Sequence, residues 1–393
     1  MQKKRIPQTI FIFLMICGSV FHTVLAAPNG QDQPPYEYYF PLIFKPFPTP
    51  TPTFTPTPTA TRTLTNTPTV TATSVPMPPP YYTTTWYMTP GNVGNTYQMG
   101  CEAGQQTVQL TGTQDSLVIL DYGQPWGEGS QFGTILLRET GFNFTSTNDI
   151  TIYSQAFING YMACSDHFST IDIGIGTTNY ARYVDGVCSS LSWYCTTTNA
   201  YNHGRAWAIM TRNLNNWVNT NGYAGQVTIS GATDIELAWN YATISTAWAN
   251  GFNDNDNNEV IYYNYGTCDG CPTRLTPNTN PDLVYDWTMS AVHNTAWRLQ
   301  PAWPIPEIYA NSGINARQWA YLSYWGVTQI SFEKMIFLSA LTQYQACNTA
   351  GDDLCDLLDN TPQEAWHQLF TEVNFWPSTA LSNIPWMTDI DWP

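Results

Sequence analysis

From about Gly100 to the end of the chain, apolar β-branched runs recur, each followed by a segment of helical period. The strand candidates are Ser116–Asp121, Thr170–Ile175, Arg205–Thr211, Gln226–Ser230, Val260–Tyr265, Ile305–Tyr309 and Gln329–Phe332. Between them lie helix candidates at Ile150–Cys164, Asn213–Thr220, Leu237–Asn250, Pro281–Arg298 and Ile314–Trp325. Strands that alternate with helices predict parallel βαβ units. Seven strands over this length predict an α/β fold, a TIM-type (β/α)8 barrel with one strand irregular or unrecognised. A doubly wound open sheet is the competing architecture. It is disfavoured because Asp121-Tyr122-Gly123-Gln124-Pro125, at the exit of the first strand, is not a glycine-rich phosphate loop.

The pattern is different before this region. Residues 1–26 read as a secretory signal: Lys3, Lys4 and Arg5, then the apolar run Ile10 to Val20, then Val24-Leu25-Ala26. That run is shorter than the roughly 20 residues a membrane span needs. Residues 27–47 hold a short apolar segment, Tyr38-Tyr39-Phe40-Pro41-Leu42-Ile43-Phe44-Lys45. From Pro48 to Pro80 threonine occupies every odd position between Thr49 and Thr73, interleaved with prolines that cannot donate ladder hydrogen bonds. This is an extended linker, at about 3.1 Å per residue on the order of 100 Å long. Residues 81–393 then form the folded domain, with its core from about residue 100.

Composition narrows the partners. The chain carries a net charge of −16, only 11% charged residues and 15% aromatics. Loss of Lys3, Lys4 and Arg5 with the signal takes the net charge to −19. An acidic chain of this kind argues against nucleic acid, whose phosphates require a basic face. No later segment is long and apolar enough to span a bilayer. Few charges with many aromatics and amides suit an exported protein, secreted or at the cell surface, that handles uncharged polar ligands, carbohydrate above all. Oligomeric state is not legible.

Of nine cysteines, Cys17 lies in the signal, leaving an even eight, which suggests disulfides. Three pairs are close in the chain: Cys188 with Cys195, Cys268 with Cys271, and Cys347 with Cys355. Cys101 and Cys164 then remain as a long-range pair. This is one of 105 connectivities that eight cysteines allow. Cys268-Asp269-Gly270-Cys271 has no second CxxC or nearby histidine to complete a zinc set. Asp254-Asn255-Asp256-Asn257-Asn258-Glu259 begins like a calcium loop, but its sixth position is Glu259 and its twelfth is Tyr265, so it reads as a solvated acidic turn. His167, His203, His293 and His367 form no HExxH, and no Gly-x-Ser-x-Gly elbow is present. No metal or cofactor is expected, and His203 is read as structural, lying just before a strand.

In a barrel the carboxyl ends of the strands build the site. Asp121 ends the first strand, and Asp234 and Glu236 follow the fourth. Two apart on an extended segment, Asp234 and Glu236 point the same way. Shared burial would raise one pKa and keep a proton for donation to a glycosidic oxygen, with a second carboxylate as nucleophile, base or electrostatic support. The structural alternative is that Glu236 caps the helix beginning at Leu237. Tyr122, Trp126, Trp239 and Tyr265 neighbour these acids and could stack on sugars, while Glu307 and Tyr309 on strand six are further substrate-binding candidates. Trp207, Trp217 and Trp319 fall in periodic segments and read as core.

Asp121 closing strand one, Asp-x-Glu closing strand four and an aromatic-bearing strand six resemble the lysozyme-type muramidase barrels and related glycoside-hydrolase-like domains. The apolar octet beside a Thr/Pro stalk is similar to a feature of exported surface proteins of Chloroflexi-type bacteria. The first resemblance implies Glu236 as proton donor, Asp234 as its partner, and Asp121 as a substrate-positioning or second catalytic carboxylate. It implies polysaccharide or peptidoglycan as substrate. Two departures stand out: a disulfide-bearing insert, Asp185–His203, and no Asp at the end of the last recognisable strand. The other functional class is a catalytically inactive surface module that binds glycan or mediates adhesion.

Overall fold

The computed structural model describes residues 76–391, apart from 90, 138–142, 185, 190–191 and 351–354. These residues belong to one compact unit within Tyr39–Pro393. The signal sequence, the apolar segment of residues 27–47 and the linker as far as residue 75 lie outside the described residues.

The first half of the fold comprises β1 (Thr83–Tyr87), α1 (Val93–Gln109), β2 (Asp115–Asp121), β3 (Gln124–Glu128), β4 (Gln131–Ile135), β5 (Thr145–Ser146) and α2 (Thr147–Cys164). It continues through β6 (Thr170–Thr178), β7 (Tyr183–Val184), β8 (Val187–Cys188), α3 (Thr197–Thr220), β9 (Val227–Asp234), α4 (Ala242–Asn253) and β10 (Tyr262–Asn264). Next come α5 (Met289–His293), a π-helical turn at Asn294–Arg298, β11 (Ala302–Pro304) and α6 (Ile314–Gln329). The chain ends through β12 (Ser339–Thr342), α7 (Tyr344–Ala350), α8 (Pro362–Val373) and β13 (Trp386–Asp391).

Eight strands form one sheet in the order β11-β10-β9-β6-β2-β1-β13-β12, and every pairing in it is parallel. This corrects the expected TIM-type barrel: the sheet is an open half-barrel, not a closed cylinder. Between the segment after β11 and β12 the described pairing is an isolated bridge, Glu307 to Leu341. The physical reason is in the chain. Pro304 and Pro306 lack the N–H groups that a continuous ladder needs, and the segment joins β12 only through Ile308 N to Leu341 O and Leu341 N to Pro306 O, both 3.0 Å.

Side chains alternate between the two faces, as strand geometry requires. Leu117 and Ile119 of β2 join Tyr263 and Tyr265 in one buried cluster. Val118 and Leu120 join Ile173, Ile175 and Tyr262 in another, against Phe157, Trp207 and Trp248 of the flanking helices. Helices α1 and α2 approach so closely that a Cβ on Gly100 would lie 1.9 Å from Phe157 O, and the Cys101–Cys164 disulfide joins them. The other three cysteine pairs, Cys188–Cys195, Cys268–Cys271 and Cys347–Cys355, are also bonded. These disulfides are consistent with an extracellular protein. Among the described residues no helix is long and apolar enough to cross a membrane.

Three expected strands are corrected: Ile305–Tyr309 follows β11 and carries only the isolated bridge at Glu307. Arg205–Thr211 lies inside α3, whose buried positions Ala200, His203, Gly204, Trp207, Ala208, Thr211, Leu214 and Val218 follow a helical repeat; a short apolar run does not distinguish the two periods. Gln329–Phe332 is the exit of α6 rather than a strand. The insert is a short β7–β8 hairpin followed by the first turns of α3, so His203 is helical. Its Nε2 meets Gly133 O at 2.8 Å and its Nδ1 accepts from Trp248 Nε1 at 3.0 Å, which makes it a satisfied core residue. The acidic turn at Asp254 closes on itself: Asp256 accepts from Asn258 N at 2.8 Å and Glu259 pairs with Arg212 at 3.0 Å.

Candidate functional site

Parallel register aligns the carboxyl ends of neighbouring strands. Asp121 sits opposite Gly176, and Thr178 opposite Asp234. Just beyond β9, Glu236 is held from below by Asn179. Asn179 donates from Nδ2 to Glu236 O (2.9 Å) and to Ser245 Oγ (3.1 Å), accepts from Glu236 N (3.1 Å), and bonds Asp234 O through its own N–H (2.6 Å). This grip fixes the Asp-x-Glu segment at both residues. The Glu236 side chain accepts from Thr267 Oγ1 at 2.7 Å. It is 2% exposed and does not cap a helix: α4 begins at Ala242, whose N–H is met by Asp286 Oδ1 at 2.7 Å. The capping alternative is therefore not realised.

Asp234, Glu236 and Glu307 lie together at the carboxyl end of the sheet, each held well above the usual carboxylate range. Burial is the first cause in every case. Asp234 is raised further by Glu236 and Asp121, Glu236 by Asp269, and Glu307 by Glu236, Asp269 and Asp234. Asp121 is pushed up to about 7 by burial, against the opposing pull of the Gly123 N–H (2.7 Å) and the neighbouring Tyr265 phenol. Asp269, half-buried between Cys268 and Gly270, is raised by burial to about 6. Asp234 Oδ1, Glu236 Oε1, both Glu307 oxygens and the Tyr309 hydroxyl are buried with no hydrogen-bond partner. Buried polar atoms are nearly always paired. Five unpaired atoms in one place are unusual for a folded interior.

The fold thus assembles Asp121, Asp234, Glu236, Tyr265, Glu307 and Tyr309. Tyr265 reaches across β6, where a Cβ on Gly176 would lie 2.1 Å from its hydroxyl; only glycine leaves that path open. Trp239 is tied to Glu236 by the turn bond Trp239 N to Glu236 O, 3.1 Å, with its ring against Tyr180. The other two aromatic candidates are not brought in. Tyr122 points to the opposite face of the sheet and bonds Ser154 of α2 at 3.1 Å. Trp126 is half-buried in the separate β3–β4–β5 sheet.

Several members escaped sequence reasoning. Ending the second expected strand at Ile175 left Asn179 unconsidered, although the polar run Thr177-Thr178-Asn179 signalled its exit. Asp269 was visible only as the interior of a CxxC pair. β13 went unrecognised, and with it Asp389, which accepts from Thr342 Oγ1 and from the N–H groups of Tyr344 (2.8 Å) and Gln345 (2.9 Å) at the start of α7. The strand said to lack an acid was not the last one.

Among the described residues no group of three or more His, Cys, Asp or Glu side chains is arranged to hold a metal ion. A surface cavity of about 680 Å³ lies elsewhere, between β4, α2 and α3, lined by Phe132, Asn148 and Arg205 among others. No family model matches the chain, and no match is found among curated proteins or solved structures.

Proposed function

We propose that this is an exported glycoside hydrolase, related in its chemistry to the muramidase-like enzymes, acting on a polysaccharide or peptidoglycan outside the cell. The observation that carries the reading is the cluster of Asp234, Glu236 and Glu307, buried together with unpartnered oxygens. Hydrolysis of a glycosidic bond needs one carboxyl that keeps its proton and one that does not. The environments divide in that way. Glu236 and Glu307 hold protons far above the ordinary range, while Asp121 and Asp269 ionise first, at about 7 and about 6. Glu236 serves as proton donor, kept protonated by burial and by the Asp269 charge, with Asp234 as its electrostatic or catalytic partner and Asp121 as a substrate-positioning or second catalytic carboxylate. Glu307, initially a substrate-binding candidate, becomes the second candidate catalytic carboxyl.

The test is reducing-end release from peptidoglycan and a panel of polysaccharides by the purified protein and its Glu236→Gln variant. The wild type should cleave at least one glycan. The variant should lose about 10²–10⁴ in rate, the size of a general-acid contribution, with an unchanged circular dichroism spectrum. A variant that cleaves at full rate overturns the assignment of Glu236. Binding without cleavage by either protein would support the inactive glycan-binding module instead.

A further inference from the structure

Three tyrosines from three separate loops converge beside the Asp-x-Glu segment. Tyr183 opens the β7–β8 hairpin of the insert, Tyr241 immediately precedes α4, and Tyr285 lies in the loop before α5. Their ring centroids are 5.2 Å (Tyr183–Tyr241), 5.7 Å (Tyr183–Tyr285) and 5.0 Å (Tyr241–Tyr285) apart, and all three side chains remain half-exposed. Tyr241 and Tyr285 back onto the buried apolar clusters, and the three rings together keep an open side toward solvent.

Asn240 ties this set to the acids. Its Oδ1 accepts from the Tyr183 hydroxyl (2.7 Å) and from Tyr241 N (2.9 Å), and its Nδ2 donates to Asn179 O (3.0 Å). Asn179 is the residue that grips Glu236. Asn240 O in turn accepts from Trp287 Nε1 at 2.9 Å, which anchors the loop bearing Tyr285. One amide therefore connects the tyrosines, the insert and the candidate proton donor.

The backbone at Tyr285 adds an independent sign. Tyr285 and Asp286 are both left-handed, with φ of 48° and 56°. Asp286 has a local reason, since its side chain caps α4 through Ala242 N. Tyr285 contributes only its carbonyl there, at 3.1 Å, and any residue has a carbonyl. Glycine would adopt this φ without strain, whereas a bulky side chain is disfavoured. The ring is kept there despite the strain, with one side packed against the buried apolar cluster and the other open to solvent.

The charges nearby indicate the ligand class. Exposed Asp286 lies within electrostatic reach of Tyr183, exposed Arg182 adjoins Tyr183 in the chain, and the chain as a whole is acidic. Flat rings with hydroxyls in such surroundings match the faces of uncharged sugars. We propose that Tyr183, Tyr241 and Tyr285 form a stacking platform for a sugar ring of an uncharged polysaccharide, an outer subsite contributed in part by the short strand that leads into the disulfide-bearing insert. Its description as a subsite rests on the hydrolase reading; its ability to bind does not.

Affinity electrophoresis through gels containing a soluble uncharged glucan, with depletion onto insoluble chitin and a polygalacturonate control, tests the platform. The wild type should be retarded by at least one uncharged glycan. Tyr285→Gly, which removes the ring and relieves the left-handed strain, should fold at least as stably and bind roughly tenfold more weakly. Tyr241→Ala should weaken binding in parallel. Undiminished binding by Tyr285→Gly, or no retention of the wild type on any uncharged glycan, overturns the platform. Stronger retention by polygalacturonate overturns the ligand class. If the wild type binds but never cleaves, the hydrolase reading fails and the platform stands. If it cleaves polymer while Tyr285→Gly binds and cleaves equally well, the platform fails and the hydrolase reading stands.

Discussion

Carboxylates occupy both ends of the same sheet, and the two ends treat them in opposite ways. Near the amino end of β6, half-buried Asp172 accepts from Ser230 Oγ at 3.0 Å and from the Tyr263 hydroxyl at 2.7 Å. At the carboxyl ends, Asp234, Glu236 and Glu307 are sealed from solvent, face one another and leave oxygens unpaired. Desolvation raises the pKa in both places, to about 7 at Asp172 as at Asp121. A perturbed carboxyl is therefore no sign of function by itself. What separates the two ends is that one acid has hydrogen-bond donors matched to it, whereas the three others are packed together with oxygens left unpaired.

The largest effect that could break this comparison is on rate. Glu307→Gln should lower hydrolysis by about 10² or more, while Asp172→Asn leaves it near the wild-type value. Equal losses in the two variants would erase the distinction. Stability should respond in the reverse sense. Asp172→Ala strands the Tyr263 and Ser230 hydroxyls and should cost about 1 kcal/mol in urea unfolding. Glu307→Gln replaces a buried carboxyl whose two oxygens are unpaired and should raise the unfolding free energy by about 0.5–2 kcal/mol, the usual range when an unfavourable functional group is relieved. A destabilised Glu307→Gln would show that its carboxyl is held by the fold after all.

The smallest effect is on pH dependence. Asp172 has a folded pKa of about 7 against an ordinary 3.8. Its contribution to stability is complete below pH 3.8 and is lost as pH rises through 7. His203 runs the other way, lowered by burial from 6.5 to about 4; its contribution is present above pH 6.5 and lost as pH falls through 4. Urea midpoints between pH 4 and 7.5 should therefore slope less steeply downward with rising pH in Asp172→Asn than in wild type. An unchanged slope would remove Asp172 from the account.

Legibility followed the range of the interactions. The second, sixth, ninth and tenth strands were readable because each is a contiguous apolar run, and the Asp-x-Glu pair because neighbouring residues on an extended chain share a face. β1, with the sequence Thr-Thr-Thr-Trp-Tyr, and β13, with Trp-Met-Thr-Asp-Ile-Asp, carry no such run. Their identity comes from pairing with one another across three hundred residues. The aromatics show the same limit. Tyr122 is one residue from Asp121 yet points to the other face of the sheet, while Tyr183 and Tyr285, distant in sequence, meet beside the site.

The amino-acid sequence by itself determined the acids at the strand ends and pointed to the three disulfides between cysteines close in the chain. Each of these depends on composition or on residues close along the chain. Only the tertiary structure decided that the sheet opens where Pro304 and Pro306 interrupt pairing, that Glu307 and Asp269 join Glu236, and that Asn179 and Asn240 hold them. Those outcomes depend on contacts between segments far apart in the chain. No local pattern encodes which distant partner a buried polar atom will find, or that it will find none.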